Sequence, residues 1–443
     1  MNGKIHIMLK PEVAIRKVGK KNFIMSANED YSKSVIPEIS DKAVKICEYL
    51  KVERSFEDLK KNFDYFDEKT LNSFVLYLKN NNLAHIWDTS HKKRFISDIV
   101  SNEWSIDRTF YGCTFELTTK CNFRCVHCYL DDHHIPDYEL PTTDIFKIID
   151  KLYENGLMLI FYSGGDPFMR KDFKDIYVYT RKKGIMVEIF TNGSLINDEW
   201  LEIFKIYPPI EVDISLYGSN EEMYYAVTKE RNMFDKVISN IEKMKKIGIN
   251  VSLKCPIITI LKDDLENMIE LCKKISVPFR FDFIINPTID NKSKANYQIS
   301  FNEVAALTKK YSDGYNSLVE KYKRNCGNRI KDARKYFCST GRCSGFIDYK
   351  GNLCPCIEMR DKGISLLEND FNVVWKHVKS FSYERIKENE NYKCTSCRIS
   401  SICKSCPAIR ERINGSPTTI TDGDCQYAQE LLKTMIEGGD ING

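Results

Sequence analysis

Cysteine placement constrains this chain more than any other feature. Of 17 cysteines in 443 residues, three lie between Cys121 and Cys128 and nine between Cys338 and Cys425. An odd total cannot pair completely into disulfides within one chain. Clustered thiols without a secretory signature read as metal ligands. The opening residues, MNGKIHIMLKPE, contain no apolar signal segment. No apolar run approaches the roughly 18 residues of a membrane span. The expectation is a soluble, cytoplasmic protein with no membrane partner, in a compartment that keeps thiols reduced.

Length predicts roughly three domains, and the chain divides into three zones. Residues 1–95 begin with strand-like runs near 5–9 and 13–25, with a turn at Val18-Gly19-Lys20-Lys21. Three helical patterns follow, the first opening on a Ser40 N-cap with Ala43, Ile46, Cys47 and Leu50 on one face. A small sheet with three helices outlines a winged helix. Residues 105–325 alternate strand and helix. Strands are expected at 113–118, 157–163, 185–190, 210–216, 249–254 and 279–285, and helices at 142–155, 171–183, 197–206, 233–247 and 262–274. Six such units in order predict a parallel α/β sheet with its chemistry at the carboxyl ends of the strands. In residues 326–443 the alternation fails while Cys and Gly rise, which predicts a module held by metal more than by core burial.

The sharpest motif follows the first strand of that alternation. Thr118-Thr119-Lys120-Cys121-Asn-Phe-Arg-Cys125-Val-His-Cys128-Tyr129 has the spacing Cys-X3-Cys-X2-Cys. Three thiolates this close can hold three corners of an iron–sulfur cube and leave one iron open. The alternative is a zinc site with His127, His133 or His134 as fourth ligand. Three further segments stand at successive strand ends: Ser163-Gly164-Gly165-Asp166-Pro167, Thr191-Asn192-Gly193 and Asp213-Ile-Ser215. Each alone is an ordinary turn; their serial placement makes them candidates for one site.

These motifs resemble those of the radical S-adenosylmethionine (SAM) enzymes. The resemblance implies a partial (β/α)6 TIM-like barrel and a [4Fe–4S] cluster on Cys121, Cys125 and Cys128. SAM would bind at its open iron, and a 5′-deoxyadenosyl radical would abstract a substrate hydrogen. Ser163, Gly164, Gly165 and Asp166 match the segment that holds the SAM amino group, with Asp166 where Glu is usual. Thr191, Asn192 and Ser215 fall at further SAM-facing positions, and His127 where an aromatic often lies near adenine.

The second cysteine group resembles the SPASM extension with two auxiliary [4Fe–4S] clusters. The family's crossed ligation implies Cys338, Cys343, Cys356 and Cys406 for one cluster, and Cys394, Cys397, Cys403 and Cys425 for the other. Cys354 is left over; it either stands aside or replaces Cys343, and without Cys343 the first auxiliary cluster would have an open iron. Two zinc ribbons are the alternative for these pairs. Cys47, Cys113, Cys255, Cys272 and Cys326 read as buried or incidental thiols.

Charge decides between partners for the first zone. The chain carries 66 Lys+Arg against 62 Asp+Glu, a net +4. Residues 1–95 hold a local +5, and the rest is close to neutral. The would-be recognition helix has no Arg, and its best face is apolar, which argues against nucleic acid. The basic residues Lys10, Arg16, Lys17, Lys20 and Lys21 lie on the hairpin, whose edge can take an added peptide strand. That layout resembles the leader-recognition element of ribosomal-peptide maturases. The whole chain resembles radical SAM–SPASM maturases of the sactipeptide type. The expected function is therefore Cys thioether formation in a precursor peptide held by residues 1–95. Flavodoxin or ferredoxin would supply electrons. Carbon–carbon or carbon–oxygen cross-linking, epimerisation, a non-catalytic electron carrier and a zinc- and DNA-binding regulator are the competing readings.

Overall fold

The computed structural model describes residues 5–9, 13–18, 21–26, 38–51, 54–81, 83–88, 110, 112–130, 138–157, 159–290, 295–312, 314–325, 341–384 and 392–441. The expectations for His133, His134, Cys326, Cys338, Lys10 and Lys20 lie outside these residues.

The first zone contains strands β1 (Ile5–Leu9), β2 (Val13–Val18), β3 (Lys21–Ser26), β4 (Glu38–Ile39), β5 (Arg54–Ser55) and β6 (Ala84–Asp88). Its helices are α1 (Asp41–Tyr49), α2 (Phe56–Asn62) and α3 (Glu68–Asn80). Ser40 caps α1 as expected, its side chain accepting from the Ala43 amide. The run 13–25 is an antiparallel hairpin, as the expected turn implies, with Val18 paired to Lys21. β1 does not join that hairpin: it pairs with β5 and with β6, a strand the sequence reading missed. Two three-stranded sheets result, β5-β1-β6 and β2-β3-β4. They share one apolar core around Ile7, Ile24, Leu50, Phe56, Leu71 and Val75.

From residue 112 onward the expected alternation is present: β7 (Gly112–Thr118), α4 (Thr142–Glu154), β8 (Leu159–Gly164), α5 (Phe173–Lys182), β9 (Met186–Thr191), α6 (Asp198–Ile206) and β10 (Glu211–Ser215). After α7 (Glu221–Thr228) and α8 (Phe234–Lys246) come β11 (Val251–Pro256), α9 (Leu265–Ile275) and β12 (Phe279–Asp282). α7 was not expected; it is short, opens on Asn220 and ends at Lys229 in the left-handed region. Strands β7 to β12 are parallel and ordered as in the chain. Among the described residues β12 and β7 do not pair, so the sheet curves into a partial barrel without closing. Alternation divides each strand's side chains. Cys113, Phe115, Leu117, Ile160, Tyr162, Val187, Ile189, Val212 and Ile214 pack into the core with Ile145, Ile148 and Leu152 of α4. Glu116, Phe161, Glu188, Phe190, Asp213 and Lys254 take the opposite face, toward the lumen.

The remaining elements are α10 (Phe301–Tyr311), α11 (Tyr315–Asn325), β13 (Ser344–Ile347), β14 (Asn352–Cys354), β15 (Ile364–Ser365), α12 (Phe371–Tyr383), α13 (Pro407–Asn414) and α14 (Asp422–Glu437). The last third has more apolar burial than expected. β13 runs parallel to β7 and extends the main sheet to nine strands. Ile347, Leu353, Leu366, Phe371, Val374, Val378 and Leu431 bury into the same core as the barrel. The expected boundary at 325/326 therefore does not divide the apolar core. Short strands separated by turns give little periodicity, which hid this burial from the sequence.

Candidate functional site

The three-cysteine loop leaves the carboxyl end of β7 and is stitched to three neighbours. The Arg124 and Val126 amides donate to the Thr228 and Val227 carbonyls at the end of α7, at 2.9 and 3.0 Å. The Gly165 and Asp166 amides donate to the carbonyls of Thr118 and Lys120, both at 2.8 Å. The Ile289 amide donates to the Tyr129 carbonyl. Glycine is required beside the loop: a Cβ on Gly165 would stand 2.2 Å from the Lys120 carbonyl oxygen, and one on Gly164 2.2 Å from that of Thr118.

The thiols of this loop lie close enough to act on one another. Burial, then the Asp166 charge, pushes the Cys121 thiol up to about 12, and Cys128 adds to the effect. Cys121 Sγ accepts from the Phe123 amide at 3.4 Å and from Asn192 Nδ2 at 3.7 Å. Tyr217 is largely buried beside Cys125 and Cys121, and burial raises its hydroxyl's pKa. The His127 ring lies 5.6 Å from the Tyr217 ring, tilted by 54°.

The other expected residues gather at the same end of the sheet. Asp166 is completely buried. Its Oδ2 accepts from Thr191 Oγ1 at 2.7 Å and the Asn192 amide at 2.9 Å, while Oδ1 accepts from the Phe168 amide at 3.0 Å. Burial holds this carboxyl up at about 6, against those three donors. Asp166 thus ties the end of β8 to the end of β9. Asn192 bridges onward: Nδ2 donates to Asn122 Oδ1, and Oδ1 accepts from the Ser194 amide and hydroxyl. Asn122 Nδ2 closes the ring on Ser194 Oγ at 2.9 Å. Asn122 and Ser194 were not singled out from the sequence, although each adjoins a motif that was. Ser215 ends β10, in register with Lys254 of β11. Lys254 Nζ lies 3.4 Å from the Phe190 ring centre and 2.9 Å from Asp213.

The later cysteines fall into two neighbourhoods. Cys403 feels the charges of Cys394, Cys425 and Cys397, and Cys425 those of Cys394 and Cys397; burial is the larger cause and raises both pKa values. The buried Arg410 lowers that of Cys425 and donates to Tyr392 Oη at 2.7 Å and Ser405 Oγ at 2.6 Å. The Ser405 amide donates to Cys403 Sγ. Cys356 and Cys406 each pack against the cluster of Met359 and Ala408. Cys343 immediately precedes β13, and the antiparallel pairing of Phe346 with Cys354 carries Cys356 back level with Ser344. Cys354 differs from all of these. Its one S–H, buried like that of Cys343, has two carbonyl acceptors in reach, Asn352 and Arg360, both at 3.6 Å. Cys47, Cys113, Cys255 and Cys272 are buried, as expected.

The donor sets suit iron–sulfur clusters: thiols in groups, with backbone and amide N–H donors on sulfur and a buried guanidinium beside one group. Among the described residues no three Cys, His, Asp or Glu side chains are arranged to hold a single metal ion.

A partial barrel of six parallel strands with this cysteine loop after the first is the architecture of a radical SAM domain. Residues 115–275 match the model described as the Radical SAM superfamily; the chain carries a radical SAM domain. Members of the superfamily bind SAM and a [4Fe–4S] cluster. Among curated relatives, an AdoMet-dependent heme synthase of Methanosarcina barkeri is 24% identical over 66% of this chain and 90% of its own length. The mycofactocin maturase MftC of Mycolicibacterium smegmatis is 24% identical over 70% and 81%. The subtilosin biosynthesis protein AlbA of Bacillus subtilis is 33% identical over 31% of each chain. Streptococcus suis SuiB, solved with its precursor peptide SuiA, superposes with a TM-score of 0.60 at 15% identity, over 95% of this chain and 100% of that one. The structure of anSMEcpe with bound AdoMet superposes with a TM-score of 0.58 at 16% identity, over 74% and 97%. Among the described residues no helix is long and apolar enough to cross a membrane.

Proposed function

We propose that this enzyme modifies a ribosomally made precursor peptide, forming Cys thioether cross-links. The observation that carries the reading is the N-terminal unit. It has its own apolar core, and its hairpin strand β2 pairs only with β3 among the described residues. A strand with one unpaired edge is a template for an added peptide strand. The likeness to SuiB extends 21% further along this chain than that to anSMEcpe, about the length of residues 1–95. A peptide substrate is also supported by the likeness to AlbA, a bacteriocin biosynthesis protein, at higher identity over a shorter stretch.

Cys121, Cys125 and Cys128 would hold the SAM-binding cluster. Ser163, Gly164, Gly165, Asp166, Thr191, Asn192, Ser215 and His127 would line the cofactor pocket. Bound together, cluster and SAM supply hydrogen-atom abstraction. Cys394, Cys397, Cys403 and Cys425 would hold one auxiliary cluster, and Cys338, Cys343, Cys356 and Cys406 the other. Gly164 and Gly165 allow the β8 backbone to lie against the cysteine loop, and Asp166 orients Asn192 toward Cys121. A leader strand on residues 1–95 would raise the effective concentration of the core peptide at the lumen. Flavodoxin or ferredoxin would supply the electron.

The test begins with metal. Reconstituted protein should hold about twelve iron and twelve sulfide per chain, as three four-iron cubes require; zinc without sulfide would sink the assignment. With dithionite and SAM it should release 5′-deoxyadenosine, and Cys125→Ala should abolish that release. Incubation with a Cys-bearing peptide encoded beside its gene should remove two hydrogens per bond, and tandem mass spectrometry should locate the link at a Cys. A link without Cys would mean carbon–carbon or carbon–oxygen chemistry. Unchanged mass with inverted stereochemistry would mean epimerisation. The heme synthases, matched over 90% of one relative's length, supply a second reading. A porphyrin substrate would leave the N-terminal unit without a role.

A further inference from the structure

The partial barrel is open between β12 and β7, and the C-terminal segment crosses that opening. On the β7 side it is attached by the β13 strand pairing and, further along, by a buried ion pair. Arg360 donates to Glu116 through Nη1 at 2.6 Å and Nη2 at 2.8 Å. Glu116 is 0% exposed and the Arg360 side chain 16%. Tyr129, next to Cys128, donates to the same carboxylate at 3.2 Å. The Arg360 guanidinium lies 4.7 Å from the Phe346 ring centre.

The attachment on the β12 side starts two residues away. Glu358 accepts from Asn286 Nδ2 at 3.2 Å and from Arg412 Nη2 at 2.6 Å. Arg412 Nη1 donates to the Thr288 carbonyl. Asn286 and Thr288 lie just beyond the end of β12, and Ile289 is tied to the Tyr129 carbonyl. One short segment, Ile357–Lys362, therefore touches both sides of the gap. It begins directly after Cys356.

We propose that Glu358 and Arg360 form a clasp that closes the barrel's open side and fixes the C-terminal thiol groups relative to the three-cysteine loop. Arg360 fastens to Glu116 and Tyr129; Glu358 fastens to Asn286 and, through Arg412, to Thr288. They are positioning residues. Each half supports the other because both depend on the placement of the same six-residue turn. The chemistry favours a lasting attachment. A bidentate guanidinium–carboxylate pair is directional, and removing one partner leaves a buried charge without compensation. This inference rests on contacts within the chain and is independent of the bond formed in the substrate.

The test is amide hydrogen exchange on the reconstituted holoprotein, without peptide or SAM. Glu116→Gln should speed exchange at residues 286–290 at least tenfold, although Glu116 touches none of them. Arg360→Lys, which keeps charge but loses the fork, should give a smaller increase. Should Glu116→Gln not fold, the double variant Glu116→Gln/Arg360→Gln removes both buried charges and should give the same increase. In the reverse direction, Glu358→Gln should speed exchange at residues 357–362. Unchanged exchange at 286–290 in every folded variant would overturn the clasp. Because no turnover is read, that result would leave the functional assignment standing.

Discussion

Asp166 is the residue where chemistry and folding meet most directly. A carboxylate can accept from three donors at once; an amide presents only one acceptor oxygen. Asp166→Asn should therefore lose contact with Phe168 or with the Thr191–Asn192 pair. Leaving those donors unsatisfied should cost about 1–3 kcal/mol, read from urea unfolding. Because Asn192 also donates to Cys121, 5′-deoxyadenosine release should fall by more than stability alone explains. Cys354 offers a second residue-scale prediction. A thiol whose S–H faces two carbonyl oxygens is set to donate to them rather than to bind iron. Cys354→Ala should keep the full iron content, whereas Cys343→Ala should lose about four irons, one cube. Equal loss in both variants would reverse the assignment.

Strands β9 and β10 bring carboxylates together where the register dictates it. Glu188 pairs with Glu211 across the two strands, and Asp213 follows one step toward the carboxyl end of that face. Burial, then the charges of Glu211 and Asp213, holds the Glu188 carboxyl up at about 8. The folded state therefore keeps a proton that the unfolded chain releases near its ordinary 4.5. Stability from this group is full below that value and is lost as pH rises through about 8. Glu188→Gln should remove the loss. Between pH 6 and 8.5 the wild type should lose up to about 3 kcal/mol relative to the variant, at about 1.4 kcal/mol per unit. Parallel urea titrations of the two holoproteins at those pH values would measure it; parallel curves would mean Glu188 is ionised and compensated. The boundaries of these strands were readable in advance because continuous Val, Ile and Phe runs between short helices are a local pattern. The pairing of Glu188 with Glu211 was not, because register is set between strands.

Across the described residues there are two large apolar cores, one within residues 7–84 and one running from Phe110 to Ile441. Deleting residues 1–95 should therefore leave iron loading and SAM cleavage nearly intact while peptide modification falls by at least tenfold. Mass spectrometry of the peptide and chromatography of 5′-deoxyadenosine would separate the two effects. Loss of both together would make the unit a structural part of the barrel. What was legible from residues alone follows the distance over which the determining contacts act. The three-cysteine spacing, the strand-end motifs and the six strand–helix units are local, so the cysteine loop and the partial barrel could be read directly. The extension of the sheet by β13–β15, the docking of the loop on α7 and the Glu116–Arg360 pair, 244 residues apart, could not. The sequence by itself determined which thiols exist and how they are spaced. Tertiary structure alone decided which of them adjoin and what closes the barrel, because long-range neighbours are chosen by burial and register rather than by separation along the chain.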